Sequence, residues 1–460
     1  MLMVERGPAP EVAAARCLQS LVDPSHPLLL AVSGGSDSTA MLLAFHRTVT
    51  RAHPEIRICA ATVDHRLRAE SAGEAAAVGT FCARLGIDHR ILPWTAEKPA
   101  SGIQAAARLA RYGLLADEAR RIGAGAVVAA HTLDDQFETV LMRAARQTED
   151  DAFGAAGMAP QLLFHKATWI VRPFLDCRRA DLRRYLEAHQ VDWIEDPSNA
   201  DPRYERVRQR SRRPLDDGAL DEWLCRIETA ANTRRKRSEI VGEAIKAHAS
   251  QWRRALFVLR DDGTLSRPVF SEAVAELIAV AGGQIYPIAG PKMAMLRAFL
   301  DEARPGSRVA LGRCIVMQRA GAVLIWREDR GFEDLIVEPG CMGLWDERFV
   351  VENPTDRAVS ITRNAVPLGG ERLDIPQEAT SAIAAAAYSA LPMALHRSSE
   401  NGESEGEMLG IEPIPVVARY DTFLPVFEWT LGCSLAKLLA LERYPEPPIG
   451  GVNLDRTMRQ

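Results

Sequence analysis

An apolar run, Leu29-Leu30-Ala31-Val32, leads directly into Ser33-Gly34-Gly35-Ser36-Asp37-Ser38-Thr39. The pattern reads as a strand that ends, a turn made by two glycines, and a helix that begins among hydroxyls and one carboxylate. Glycines let successive backbone N–H groups converge on an anion, and the hydroxyls of Ser33, Ser36, Ser38 and Thr39 add donors. A helix N-terminus contributes partial positive charge, so a phosphate is the natural ligand. Asp37 would repel that phosphate unless a cation lies between them, which points to Mg²⁺ with a polyphosphate. Neither GxxxxGK[ST] nor GxGxxG occurs, so this is neither a Walker loop nor a dinucleotide fingerprint.

A second strand-to-helix junction, His131-Thr132-Leu133-Asp134-Asp135-Gln136-Phe137-Glu138-Thr139, is rich in acids. Leu133, Phe137, Val140, Leu141 and Ala144 form the stripe that buries its helix. Asp135 and Glu138, three apart, emerge on one edge of the first turn. With His131 they make a cation pocket for Mg²⁺ or a substrate amine, although acids in a first turn also stabilise the helix itself. Val63-Asp64-His65-Arg66-Leu67-Arg68, with Glu70, Ser71 and Glu74, follows another strand. Gln104, Arg108 and Arg111 share a helix face at i, i+4 and i+7, beside Tyr112, and suit a phosphate or a carboxylate.

The elements that must position these groups alternate. Apolar runs at 28–32, 56–63, 89–94, 126–131 and 169–172 read as strands. Helical patterns lie near 36–50, 71–85, 102–122, 133–146 and 178–190. Such alternation predicts an α/β fold with an N-terminal, mostly parallel sheet covered by helices on both faces. Open sheets of this kind bind ligands at the carboxyl ends of their strands, where all the junctions above fall. Residues 216–305 read as mainly helical (220–250, 271–281, 292–300), and 306–460 as a smaller mixed α/β region. Three domains, 1–215, 216–305 and 306–460, are expected, with a flexible loop at 400–407.

The 460 residues are 47% hydrophobic and 25% charged, which excludes collagen-like, disordered and supercharged classes. No apolar run approaches the ~20 residues of a membrane span, and no secretory signal is legible, so a cytoplasmic location is expected. The eight cysteines contain no CxxC, so neither zinc nor iron–sulfur spacing is present. Net charge is −5, yet Arg203, Arg206, Arg208, Arg210, Arg212 and Arg213 crowd one short stretch with a single acid, Glu205. Local density rather than net charge sets a phosphate-binding surface, so this block points to RNA.

Ser33-Gly34-Gly35-Ser36-Asp37-Ser38 resembles the PP-loop of the ATP-pyrophosphatases, which cleave ATP between the α and β phosphates. Together with VDHRLR and ES, QAAARLARY, HTLDDQFET, RPFLDCRR and the WIEDPSNAD–Y–R–R segment, it resembles the bacterial tRNA(Ile)-lysidine synthase family over about 28–213. Leu311-Gly312-Arg313-Cys314 and Trp326-Arg327-Glu328 look faintly like later segments of that family. The resemblance implies a Rossmann-like PP-loop fold, ATP and Mg²⁺, and conversion of the wobble cytidine of CAU-anticodon tRNA(Ile) to lysidine with L-lysine. It further implies Ser33 to Ser38 for ATP, Asp37 for Mg²⁺–pyrophosphate, and Asp135 with Glu138 for the lysine amine and the metal. His131 and Arg111 would contact the activated nucleotide or its phosphates. Departures are Arg66 where many members have Gly, Thr132 where many have a second His, Val207 for a frequent Asn, and an acidic stretch at 147–151. Alternatives are a PP-loop tRNA thiolase, an amidating metabolite ligase, and an RNA-binding protein that keeps the fold without the chemistry.

Overall fold

The computed structural model describes residues 8–144, 154–195, 217–364, 374–397 and 404–450. The arginine block at 203–213, the segment 196–201 and the acidic stretch 147–151 lie outside the described residues. The chain divides into two compact units, one made of 1–234 with 425–427 and 445–460, the other of 235–424 with 428–444.

Among the described residues of the first unit, strands lie side by side in the order β5-β6-β4-β1-β2-β3. They are β1 (Leu28–Ala31), β2 (Ile58–Asp64), β3 (His89–Pro93), β4 (Ala126–Ala129), β5 (Gln161–Phe164) and β6 (Thr168–Val171). The first four and β6 pair in parallel; β5 runs antiparallel to β6. The helices between them are α2 (Ser36–Ala52), α3 (Ser71–Arg84), α4 (Ile103–Ile122) and α5 (Leu133–Ala144), with α1 (Pro10–Gln19) before β1 and α6 (Arg179–Ala188) after β6. β1 is aliphatic without alternation because both its faces are covered: Leu28, Leu29 and Leu30 are at most 1% exposed. From α2, Met41, Leu42 and Phe45 enter the same core, and Phe45 meets Phe174 edge-on.

One consequence of strand order governs the site. Chain direction reverses its march across the sheet at β1 and β4, which are paired with Ala31 opposite Ala129. The loops leaving these two strands therefore open side by side at the topological switch point.

The second unit begins within a long helix, Asp217–His248, and its described residues form three antiparallel sheets. β7 (Ala249–Trp252), β8 (Leu256–Arg260), β9 (Arg308–Leu311), β10 (Cys314–Arg319) and β11 (Ala322–Arg327) form the largest, in the order β7-β8-β11-β10-β9. The helix Arg267–Gly282 contributes Phe270, Val274, Leu277 and Ile278 to its core. The smaller sheets are built from β12 (Leu335–Val337), β13 (Met342–Trp345), β14 (Phe349–Glu352), β15 (Val359–Arg363), β16 (Pro392–Arg397), β17 (Ser404–Leu409) and β18 (Ile414–Pro415).

The expected α/β class and the mostly parallel N-terminal sheet are present. The stretch 216–305 is mainly helical but also holds β7 and β8, and residues 404–407, expected in a loop, belong to β17. β5, β7 and β8 escape a sequence reading because their hairpins carry no Asn-Gly signal. His165 and Lys166 turn β5 into β6 at φ 45° and 58°, and Arg253 and Arg254 turn β7 into β8 at 50° and 59°. These are left-handed conformations adopted by residues that do not advertise them.

Leu30→Ala would hollow the centre of the parallel sheet. The free energy of unfolding should fall by about 2–5 kcal/mol, read as a lower urea midpoint with unchanged slope.

Candidate active site

The loop after β1 is fixed by its own side chains. Gly34 has φ 88°, and a Cβ there would lie 2.6 Å from the Ile194 side chain. Both backbone freedom and lack of bulk are thus required at this glycine. The Ser38 hydroxyl donates to the Gly35 carbonyl and accepts from the Ser33 N–H, both at 3.1 Å, while the Thr39 hydroxyl donates to the Gly34 carbonyl at 3.1 Å. Ser38 and Thr39 are buried and Ser33 is exposed. The sequence reading gave all these hydroxyls to the anion; in the fold Ser38 and Thr39 staple the loop. The Ile194 N–H donates to the Gly34 carbonyl at 2.9 Å, so the segment 193–195 covers the loop from far along the chain.

At the neighbouring junction Thr132 caps α5. The Thr132 N–H and hydroxyl both donate to Asp135 Oδ2, at 2.8 and 2.9 Å, and the Asp135 N–H returns to the hydroxyl at 3.4 Å. This reciprocal capping holds one oxygen of Asp135 and leaves the other to the site. Arg66 likewise fits its unusual place: its φ is 53°, and its N–H donates to Asp64 Oδ1 at 3.0 Å.

The carboxylates expected to work together do meet, on a residue the sequence reading did not assign. Arg179, the first residue of α6, donates from Nε to Asp37 Oδ2 and from Nη2 to Asp135 Oδ1, each at 2.9 Å. Its Nη1 lies 3.8 Å from Glu138 Oε1, and its backbone N–H donates to Asp134 Oδ2 at 2.8 Å. Glu138 is 4% exposed. Burial works against the guanidinium's charge, but Asp135 and Asp37 hold its pKa above the ordinary value. Burial pushes the Asp37 carboxyl up; Arg179 opposes this and Asp135 reinforces it. Three carboxylates thus converge on one guanidinium in a largely buried setting. Arg179 stands in the quoted RPFLDCRR run, yet nothing in the spacing separates it from Arg178; only its place at the helix start does.

Among the described residues no group of three His, Cys, Asp or Glu side chains could cage a metal alone. The donor set suits Mg²⁺, which binds through one or two carboxylates together with substrate phosphates.

A basic wall lies on α4. Burial pushes the His65 imidazole down, the Arg111 charge adds to this, and Asp64 opposes it. His131 follows β4 as expected, and Gln104 is exposed. The Arg111 and Arg108 guanidinium carbons each sit 5.2 Å from the Tyr112 ring centre. Tyr112 is 1% exposed, and the buried Arg172 places Nη2 3.5 Å from its hydroxyl. Burial alone would raise this phenol, but Arg172, Arg111 and Arg108 together bring it down to about 7. The tyrosine appeared in the sequence only as a neighbour of the arginine stripe.

Absorbance at 295 nm should therefore show one tyrosine ionising near neutral pH, and Tyr112→Phe should remove that step. A folded pKa below the unfolded one stabilises above the unfolded value and is lost as pH falls through the folded one. The Tyr112→Phe variant should accordingly lose more stability at about pH 9 than at about pH 6. A titration with every tyrosine near 10 would refute the arginine account.

The PP-loop domain family matches residues 10–214. The tRNA(Ile)-lysidine synthase of Rhizobium meliloti (strain 1021) is 36% identical over 453 residues, covering 96% of this chain and 98% of that one. The protein of the same name from Mesorhizobium japonicum is 36% identical over 95% of this chain and 98% of its own. That of Brucella melitensis biotype 2 is 34% identical over 90% of both. A likeness that runs through both units, and not the PP-loop alone, places this chain in the tRNA(Ile)-lysidine synthase family.

Proposed function

We propose that the chain ligates L-lysine to the wobble cytidine of CAU-anticodon tRNA(Ile) at the expense of ATP, in the cytoplasm. The observation that carries this reading is the convergence of Asp37, Asp135 and Glu138 on one cationic group beside the glycine loop. A pyrimidine C2 oxygen is a poor leaving group. Transfer of AMP from ATP to that oxygen forms the O–P bond, breaks the α–β phosphoanhydride and releases pyrophosphate. The lysine ε-amine then forms the C2–N bond while AMP departs with the oxygen.

Ser33, Gly34, Gly35 and Ser36 would cradle the phosphates through loop N–H groups and hydroxyls, with Ser38 holding the loop's shape. Bound Mg²⁺, which Asp37 would hold, neutralises charge on the pyrophosphate. Asp135 and Glu138 would orient the lysine ammonium and take up its proton, which must leave before attack because its solution pKa is near 10.4. His131 and Arg111 would face the activated nucleotide. The six arginines at 203–213 would grip tRNA phosphates. A thiolase is disfavoured by the thiols near the sheet: burial pushes Cys17 and Cys82 up to about 12 and about 11, far from a nucleophilic thiolate.

Pyrophosphate release from ATP with lysine, with and without bulk tRNA, tests the reading. Asp37→Asn should cut it by at least about a hundredfold, since an amide cannot balance the cation. Near-wild-type turnover would overturn the role of Asp37. Glu138→Gln should raise the lysine KM by about tenfold and leave the ATP KM within about twofold. The opposite pattern would remove Glu138 from the amine.

A further inference from the structure

The second unit carries the reverse electrostatic imbalance. Gly312 and Arg313, at φ 56° and 64°, turn β9 into β10, and β11 ends at Arg327 alongside them. Between this hairpin and residues 328–331 lies a cavity of about 440 Å³, open to solvent and lined by Lys292, Arg313, Arg327, Glu328 and Arg330 together with backbone. A water takes roughly 30 Å³ of liquid, so the cavity has room for a phosphate group with part of its hydration shell.

Beneath it a single carboxylate, Asp346, serves three guanidiniums. Arg327 donates to it from Nε and Nη2 at 3.1 Å each, Arg348 donates from Nε at 2.6 Å, and Arg313 Nη2 also donates to it. Arg327, Arg348 and Asp346 are almost completely buried. Two positive charges remain without a carboxylate in this cluster. Arg330 is balanced by Glu328 at 2.8 Å, but Lys292, at the first turn of the helix Pro291–Glu302, makes no ion pair among the described residues. The buried Arg327 and Arg348 also pack on Phe332, which stacks on Trp345. That packing explains how they are held, not why three arginines share one acid. Leu311, Gly312, Arg313, Arg327 and Glu328 line the cavity from two sequence segments that the catalytic site leaves unused.

We infer that this cavity is a phosphate-binding pocket in which Lys292, Arg313 and Arg330 meet the ligand and the buried Arg327 supplies its charge from below. The phosphate chemistry is shared by an RNA backbone and by a free phosphate, and only the RNA source rests on the ligase reading above.

Hydrogen–deuterium exchange on the full chain tests the pocket locally, with bulk tRNA and with inorganic pyrophosphate as separate probes. Slowed exchange at 310–314 and 327–331 is expected. Protection by tRNA alone assigns an RNA phosphodiester; protection by pyrophosphate alone assigns a free phosphate. Exchange at 33–38 reports the glycine loop independently, so failure of the pocket and failure of the ligase reading are distinguishable. The Lys292→Gln/Arg330→Gln variant, which leaves the Asp346 cluster whole, should abolish the protection. If the ligand is RNA, it should also flatten the log–log salt dependence of tRNA binding by about one to two units. Absence of protection by either probe, or protection unchanged in the variant, would overturn the proposal.

Discussion

The ion pairing of Arg179 with Asp37 and Asp135 is the constraint on which the arrangement of the first unit depends. It joins the starts of three helices, α2, α5 and α6, that follow three different strands or loops. Carboxylates brought this close and this deep repel one another. One planar guanidinium with a fork of donors lets Asp37 and Asp135 be approached at once. The same guanidinium also lies 3.8 Å from Glu138, so one cation gathers the acids of two helix starts.

Around that pairing, rigidity comes from short-range chemistry. Ser38 and Thr39 bind the loop's own carbonyls, Thr132 caps the helix that carries Asp135, and Ile194 closes over Gly34. Each fixes an acid or the shape of the glycine loop. A site made to stabilise charge in transit gains from such preorganisation, since its dipoles need not reorient during the reaction. The second unit uses the same logic with opposite sign: one buried acid organises several arginines and leaves positive charge over.

Much of this was legible in the chain. The alternation of apolar runs and amphipathic stretches gave the parallel sheet, because strands buried on both faces must be aliphatic throughout. The Ser-Gly-Gly-Ser-Asp-Ser junction and the Asp135–Glu138 spacing gave the loop and its acids, because a strand end, glycines and a helix start are local features. Hairpins turned by His165-Lys166 or Arg253-Arg254 were not legible, since those residues enter left-handed geometry only when the paired strands hold them there.

Residue identity alone therefore determined which groups could bind phosphate and cation, and on which elements they sit. Tertiary structure decided which of them meet. Asp37 and Asp135 are neighbours because β1 and β4 pair in register, with Ala31 opposite Ala129, although about a hundred residues separate them. Arg179 joins them because α6 starts at the same sheet edge, and Tyr112 acquires its low pKa because Arg172 arrives from β6's end. Coulomb interactions act through space and fall off with distance, so no local pattern of letters encodes them; they exist once the sheet has closed the distance.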